Sequence, residues 1–158
     1  MVVGARQADP TRFDASVGSK TLHVIAQVGP TDVSKSLDSL KLAYKEDTVD
    51  GNPSFTISGS RGPVTVNLKK DGGATFITSI EVMATFATKD KLGLSAANDW
   101  NSTNRFSRCS IDAQGQPSLA TDIIVAEGVT QETLKTTLNL FMMSTRKFDT
   151  EVLAKRGL

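Results

Sequence analysis

The chain is short of the side chains on which most catalytic and metal chemistry is built. Its 158 residues include one cysteine, one histidine, one tryptophan and one tyrosine. A lone Cys109 excludes an internal disulfide framework and any multi-cysteine zinc site. A Cys–His or Ser–His pair would have to recruit His23, which lies in an N-terminal stretch of uncertain periodicity. One His, one Cys and scattered carboxylates supply no metal-ligand spacing. "GSRG" (residues 59–62) lacks the lysine and the following helix of a phosphate-cradling loop. The expectation is therefore no catalytic residue, no metal and no cofactor.

Charge of one sign is also lacking. The formal net charge is +1, which gives no global field favouring nucleic acid, a membrane surface or acidic partners. Arg105 and Arg108 near Trp100 and Phe106 mimic a base-stacking platform, but no basic stripe accompanies them, so nucleic-acid binding is not expected. No apolar run approaches the roughly 18 residues of a spanning helix, so neither is membrane insertion. Residues 1–20 are polar and aperiodic; they read as a flexible lead or an appended remnant, with a single domain over 21–155. One cysteine fits a cytoplasmic protein or a periplasmic one whose signal peptide has been removed.

What is present is a clear alternation of periods. "TLHVIAQV" (21–28) reads as a short strand or a lead-in. A first helix follows, with Thr31 as N-cap, Asp32 complementing the dipole, and Val33, Leu37, Leu40 and Tyr44 on one stripe. The period then falls to two. Phe55 and Ile57 mark one strand, and Val64, Val66 and Leu68 a second. Asp71-Gly72 supplies a tight turn. A long third strand places Phe76, Ile80, Val82, Ala84 and Phe86 on one face. Thr88 is expected to cap a second helix, with Ala87 and Leu92 as a hydrophobic staple and Leu92, Ala96 and Trp100 in line. Two more strands are expected near 106–112 and 118–125. Thr130 caps the last helix; Leu134, Leu138, Phe141, Thr145, Phe148 and Val152 form its stripe. The order α-β-β-β-α-β-β-α, with antiparallel strands in runs, predicts an α+β fold: a sheet of about five strands packed against helices.

The segment "NDWNSTNRFSRCSIDAQGQP" (98–117) holds the only Trp and the only Cys. Trp100 continues the apolar face of the second helix, so its expected role is an anchor onto the sheet. Asn98 and Asn101 lie at a helix end, where amides satisfy free backbone groups. Asn101-Ser102-Thr103 also matches a glycosylation acceptor, a pattern frequent by chance. Cys109 is expected as a small core hydrophobe. With Gln114-Gly115 as the turn, Asp112 faces Pro117 and Ser107 faces Asp122. Arg105 is then diagonal to Asp122 and within reach of it. On the same register Phe106, Leu119 and Ile123 share one face and Cys109, Ile111 and Ile124 the other. That surplus of apolar positions predicts an apolar groove or a self-complementary patch. The alternative is a small-ligand pocket near Trp100, Arg105 and Asp122.

Asn98-Asp-Trp100-Asn101, then Arg105-Phe106, then "SID" before a Gly-containing turn, then Asp122, resembles the YbjN-type bacterial domain. "EGVTQETLKTTLNLFMMSTRKFDTEV" looks like the closing helix of that family, and "TDVSKSLDSLKLAYKEDTVDGNPSFTIS" is similar to its opening helix and first strand. The chain departs from the family near Cys109, where Tyr or an apolar residue is usual, and at Ala43-Tyr44, where Gly-Tyr is frequent. The resemblance implies a bacterial source and a fold like that of type III secretion chaperones, often dimeric. It also implies a sensory-transduction regulator: a non-enzymatic adaptor that contacts a protein partner, with a homodimer among its expected states.

Overall fold

The structure is a computed structural model and describes residues 11–17, 20–59 and 61–158. It is α+β, with two antiparallel sheets and three α-helices. In chain order the elements are β1 (Arg12–Val17), β2 (Lys20–Ile25), α1 (Pro30–Ser39), β3 (Tyr44–Val49), β4 (Asn52–Ser58), β5 (Pro63–Lys69), β6 (Ser79–Thr85), α2 (Leu94–Thr103), β7 (Arg108–Ile111), β8 (Pro117–Ile124), β9 (Val129–Thr130) and α3 (Gln131–Phe148). The main sheet runs β3-β4-β5-β6-β8-β7, and a small one runs β1-β2-β9. The sheet is therefore larger than the five strands expected. Of the lead expected over 1–20, residues 1–10, 18 and 19 lie outside the described residues, and Arg12–Val17 forms a strand paired with β2.

The main sheet alternates cleanly. Phe55, Ile57, Val64, Val66, Leu68, Ile80, Val82, Ala84, Leu119 and Ile123 point to one buried face. The helices cover that face, with α3 contacting α1, β6 and β8, and α2 lying along β7. The opposite face is a field of Ser, Thr and Asn. Across it Ser54 donates to Asn67 at 2.7 Å and Asn67 to Glu81 at 3.3 Å, while Lys69 pairs with Glu81 at 2.9 Å.

Several boundaries differ from the sequence reading, each for a local reason. Helix α1 starts after Gly29, with Pro30 at its first position, so Thr31 sits inside the first turn. Asp32 closes the start instead: one carboxylate oxygen accepts from the Gly29 N–H at 3.1 Å, and the other meets Arg12 at 2.5 Å. The helix ends at Ser39 because Lys41 adopts φ +56°. The Leu42 and Lys41 N–H groups then return to the carbonyls of Leu37 and Asp38, a Schellman closure. Tyr44 therefore leaves the helical stripe and begins β3. β3 itself is one arm of a hairpin turned by Asp50 and Gly51, both at positive φ.

The β5–β6 turn is wider than expected. Gly72 and Gly73, rather than Asp71-Gly72, take positive φ, and Phe76 falls outside the strand and is exposed. The Asp71 carboxylate ties the loop by accepting from Ser79 Oγ at 2.5 Å and Thr78 Oγ at 2.9 Å. Thr88 does not cap α2, which begins after Gly93. Its N–H instead donates to the Gln116 side chain at 2.9 Å and its hydroxyl to the Asp90 carbonyl. Helix α3 follows the sequence reading closely: Thr130 Oγ accepts from the Thr133 N–H at 3.0 Å, and the whole stripe through Phe148 is buried. A π-helical turn at Asp149–Leu153 then rotates the stripe, so that Leu153 is fully buried and Val152 only half-buried.

Two outcomes follow. The hydroxyls of Ser79 and Thr78 hold the Asp71 carboxyl below its usual range. A group with a depressed folded-state pKa stabilises fully above the unfolded value, about 4, and loses that contribution as pH falls through the folded one. Asp71→Asn should therefore be less stable than the native chain at neutral pH, and the gap should close in acid, measured by urea unfolding across pH. Lys41→Gly removes left-handed strain of about 1–2 kcal/mol but adds about 0.5–1 kcal/mol of chain entropy. A net gain between zero and about 1.5 kcal/mol is expected in the same assay.

Candidate functional site

The joint between α2 and β7 gathers most of the residues singled out in the sequence, and it sorts them into two groups. The first group, the buried Trp100 and the exposed Asn101, bonds back into the joint. Trp100 is 3% exposed. Its ring meets Phe148 of α3 edge-on, with centroids 5.0 Å apart and planes at 89°. Phe148 in turn packs on Phe86 at 5.0 Å. The single indole N–H donates to Ser107 Oγ at 3.2 Å, so a buried donor is satisfied just before β7 begins. These contacts join α2 to α3 and to the start of β7.

Asn101 does something the sequence reading located only loosely. Its amide Nδ2 donates to the Cys109 carbonyl at 3.0 Å, and its Oδ1 accepts from the Cys109 N–H at 2.6 Å. Cys109 pairs with Leu119 of β8 on one side. The Asn101 amide therefore stands where a further strand would stand on the other side, and closes the β7 edge. Asn98 is exposed on α2, away from this joint.

The outward group is Arg105 and Phe106. Phe106 is 54% exposed, and Arg105 is exposed and has no ion pair among the described residues. They are nonetheless held in place from both sides. Asn104 Nδ2 donates to the Trp100 carbonyl at 3.1 Å, and Ser107 is the indole's acceptor. The result is a short ridge between two recesses. One, of about 300 Å³, is lined by Asn101, Arg105, Phe106, Arg108, Ala120 and Thr121. The other, of about 380 Å³, lies between the ridge and α3, with Leu140, Met143, Ser144 and Lys147 as its far wall. Met143 is 55% exposed. Lys147 Nζ spans the rim, 3.0 Å from Asn104 Oδ1 and 5.9 Å from the Trp100 ring centroid.

The final hairpin shows a different register from the one expected. Arg108 faces Ala120, Cys109 faces Leu119 and Ile111 faces Pro117. Asp112 sets this: its carboxylate accepts from the Gln114 and Gln116 N–H groups, and Gly115 sits at φ +85°. The turn thus holds five residues, Asp112 to Gln116, and a one-residue change of register exchanges the faces. The partner of Asp122 is therefore Arg108, at 2.9 Å on the exposed side of the sheet, and not Arg105. Cys109 shares the buried face with Leu119 and Ile123, while Ile124 is exposed. Trp100, Arg105 and Asp122 do not converge on one cavity.

Nucleophilic chemistry finds little support in this geometry. Burial pushes the Cys109 thiol up to about 11, so it is protonated at neutral pH. His23 bonds to Asp14 at 2.6 Å on the exposed β1–β2 hairpin, far along the chain from the joint. Among the described residues no group of three or more His, Cys, Asp or Glu could hold a metal ion, and no helix is long and apolar enough to cross a membrane. Leu140, Met143 and Lys147 were missed as surface residues; the signal was their spacing of three and four along α3, a second stripe beside the core one.

Trp100→Ala should cost about 3–5 kcal/mol. Asn101→Ala should cost about 1–2 kcal/mol by stripping the Cys109 N–H and carbonyl of partners. Denaturant unfolding reads both, and faster amide exchange at Cys109 marks the second. The family model of YbjN, described as "Putative bacterial sensory transduction regulator", matches residues 30–154. No curated protein matches the chain. The matched span begins at α1, leaves the β1–β2 hairpin outside, and contains the whole Trp100 joint with α3 against it; the chain belongs to the YbjN family.

Proposed function

We propose that this chain is a non-enzymatic regulatory adaptor, acting as one domain through contacts with other proteins. The observation that carries the reading is the Arg105–Phe106 ridge facing Met143 and Leu140 of α3. A large aromatic held half in solvent between two hydrogen-bonded neighbours is an arrangement for binding, because its ordering cost is met before a partner arrives. The family's description as a sensory-transduction regulator supports a role of this kind. A type III secretion chaperone-like fold and a homodimeric state belong to the same proposal. The polar Ser/Thr/Asn face of the main sheet does not supply the apolar patch expected from the hairpin, and the groove beside α3 is the surface this reading uses instead.

The test separates folding from contact. Phe106→Ser combined with Met143→Ser removes exposed apolar surface only, so stability should stay within about 0.5 kcal/mol of the native chain. A photo-crosslinking amino acid at position 106 should join the chain to a defined protein, identified by mass spectrometry, and Met143→Ser should abolish that product. A crosslinking yield unchanged by Met143→Ser would end the reading.

A further inference from the structure

We infer that the groove between the Arg105–Phe106 ridge and α3 takes an acidic amphipathic helical segment of a partner protein. The inference rests on the protein-contact reading above and names the chemistry of the occupant.

Shape points to a helix. Leu140, Met143, Ser144 and Lys147 follow at steps of three, one and three along α3. They form one surface stripe, about 10 Å long from first to last residue. Phe106 stands alongside, so the trough has an aliphatic wall and an aromatic one. An apolar trough between a helix stripe and an aromatic ridge is suited to the apolar face of another helix of two or three turns.

Charge selects among such helices. The charged side chains lining the groove are Arg105 and Lys147, both cationic. Arg105 has no carboxylate partner among the described residues. Lys147 has Glu151 at 4.0 Å, at the limit of an ion pair and one turn away from the trough. The net charge of the whole chain is only +1, so this local excess is a property of the groove rather than of the surface at large. A segment carrying Leu or Phe at steps of three and four, with Glu or Asp beside them, would bury its apolar face on Met143, Leu140 and Phe106. Its carboxylates would meet Arg105 and Lys147. A basic segment would meet repulsion from both cations.

The experiment uses the full chain and a labelled synthetic helix of about 14 residues, about four turns, bearing Leu at steps of three and four and Glu elsewhere. A second peptide has Lys in place of every Glu. Fluorescence anisotropy should show the acidic peptide binding at least tenfold more tightly than the basic one, with an affinity that falls as salt is raised. Arg105→Glu and Phe106→Ala should each weaken it at least tenfold, with thermal unfolding unchanged. Equal affinity for the two peptides, or an Arg105→Glu variant within twofold of the native chain, overturns the acidic assignment. The crosslinker at position 106 distinguishes the remaining outcomes. If neither peptide binds and the crosslink joins two copies of the chain, the occupant is a second copy and the inference falls. If neither peptide binds but a different protein is crosslinked in a Met143-dependent way, the protein-contact reading stands and only its acidic refinement falls.

Discussion

A buried indole must find an acceptor for its one N–H, and in this protein that requirement organises the molecule. Trp100 closes the apolar face of α2, stacks edge-on against Phe148 at the end of α3, and donates to Ser107 where β7 is about to begin. Helix, sheet edge and final helix are thus fastened at one point. The chain between Trp100 and Ser107 has only six residues in which to leave the helix and turn into the strand. Asn104 pins that passage back to the helix, and Arg105 and Phe106 are left facing out. The exposed ridge is thus held between two anchors, the bond of Asn104 to the helix end and the bond of Ser107 to the indole.

How much of this was legible in the sequence depended on whether the governing interaction was local. Helix α3 was readable because its cap, Thr130 to Thr133, and its stripe lie within a few residues of each other. The start of α2 was not. Thr88 has the composition of a cap, but its N–H is claimed by Gln116, twenty-eight positions away. α1 ended early because Lys41 accepts a left-handed conformation that its identity does not advertise, and this moved Tyr44 from a helix into a strand. The signal for β3 is Asp50-Gly51, a two-residue turn whose positive φ values reverse the chain into β4. The joint was legible in kind and wrong in detail. Trp100 and Asn101 read as structural and make the bonds that tie α2 to β7, while the acid–base pair expected at Arg105 is made by Arg108. That error came from one turn residue, Asp112, whose carboxylate gathers two backbone N–H groups and adds a residue to the loop.

The two faces of the main sheet have different physical characters. The covered face is almost wholly aliphatic and aromatic. The uncovered one is laced by side-chain bonds running across strands, from Ser54 through Asn67 to Glu81. Glu81 and Asp122 lie opposite each other in adjacent strands, an unfavourable pairing for like charges. Lys69 and Arg108 flank them and offset it. The hydrogen bond to Glu81 raises the Lys69 ammonium above its ordinary range, as a satisfied cation requires. The field is neutral over short distances, which keeps this large surface wet and leaves apolar contact to the helical side of the molecule.

The margins of the sheet are unequal. At β7 a side-chain amide fills the position of a missing neighbour, whereas β3 at the far margin has its backbone open to water and carries Lys45, Glu46 and Asp47. A sheet with two open margins can be extended without limit, copy after copy. Within the main sheet Asn101 occupies the outward N–H and carbonyl of Cys109 at one margin, so strand addition between copies through that sheet has its open line at β3 and closes as a two-fold pair.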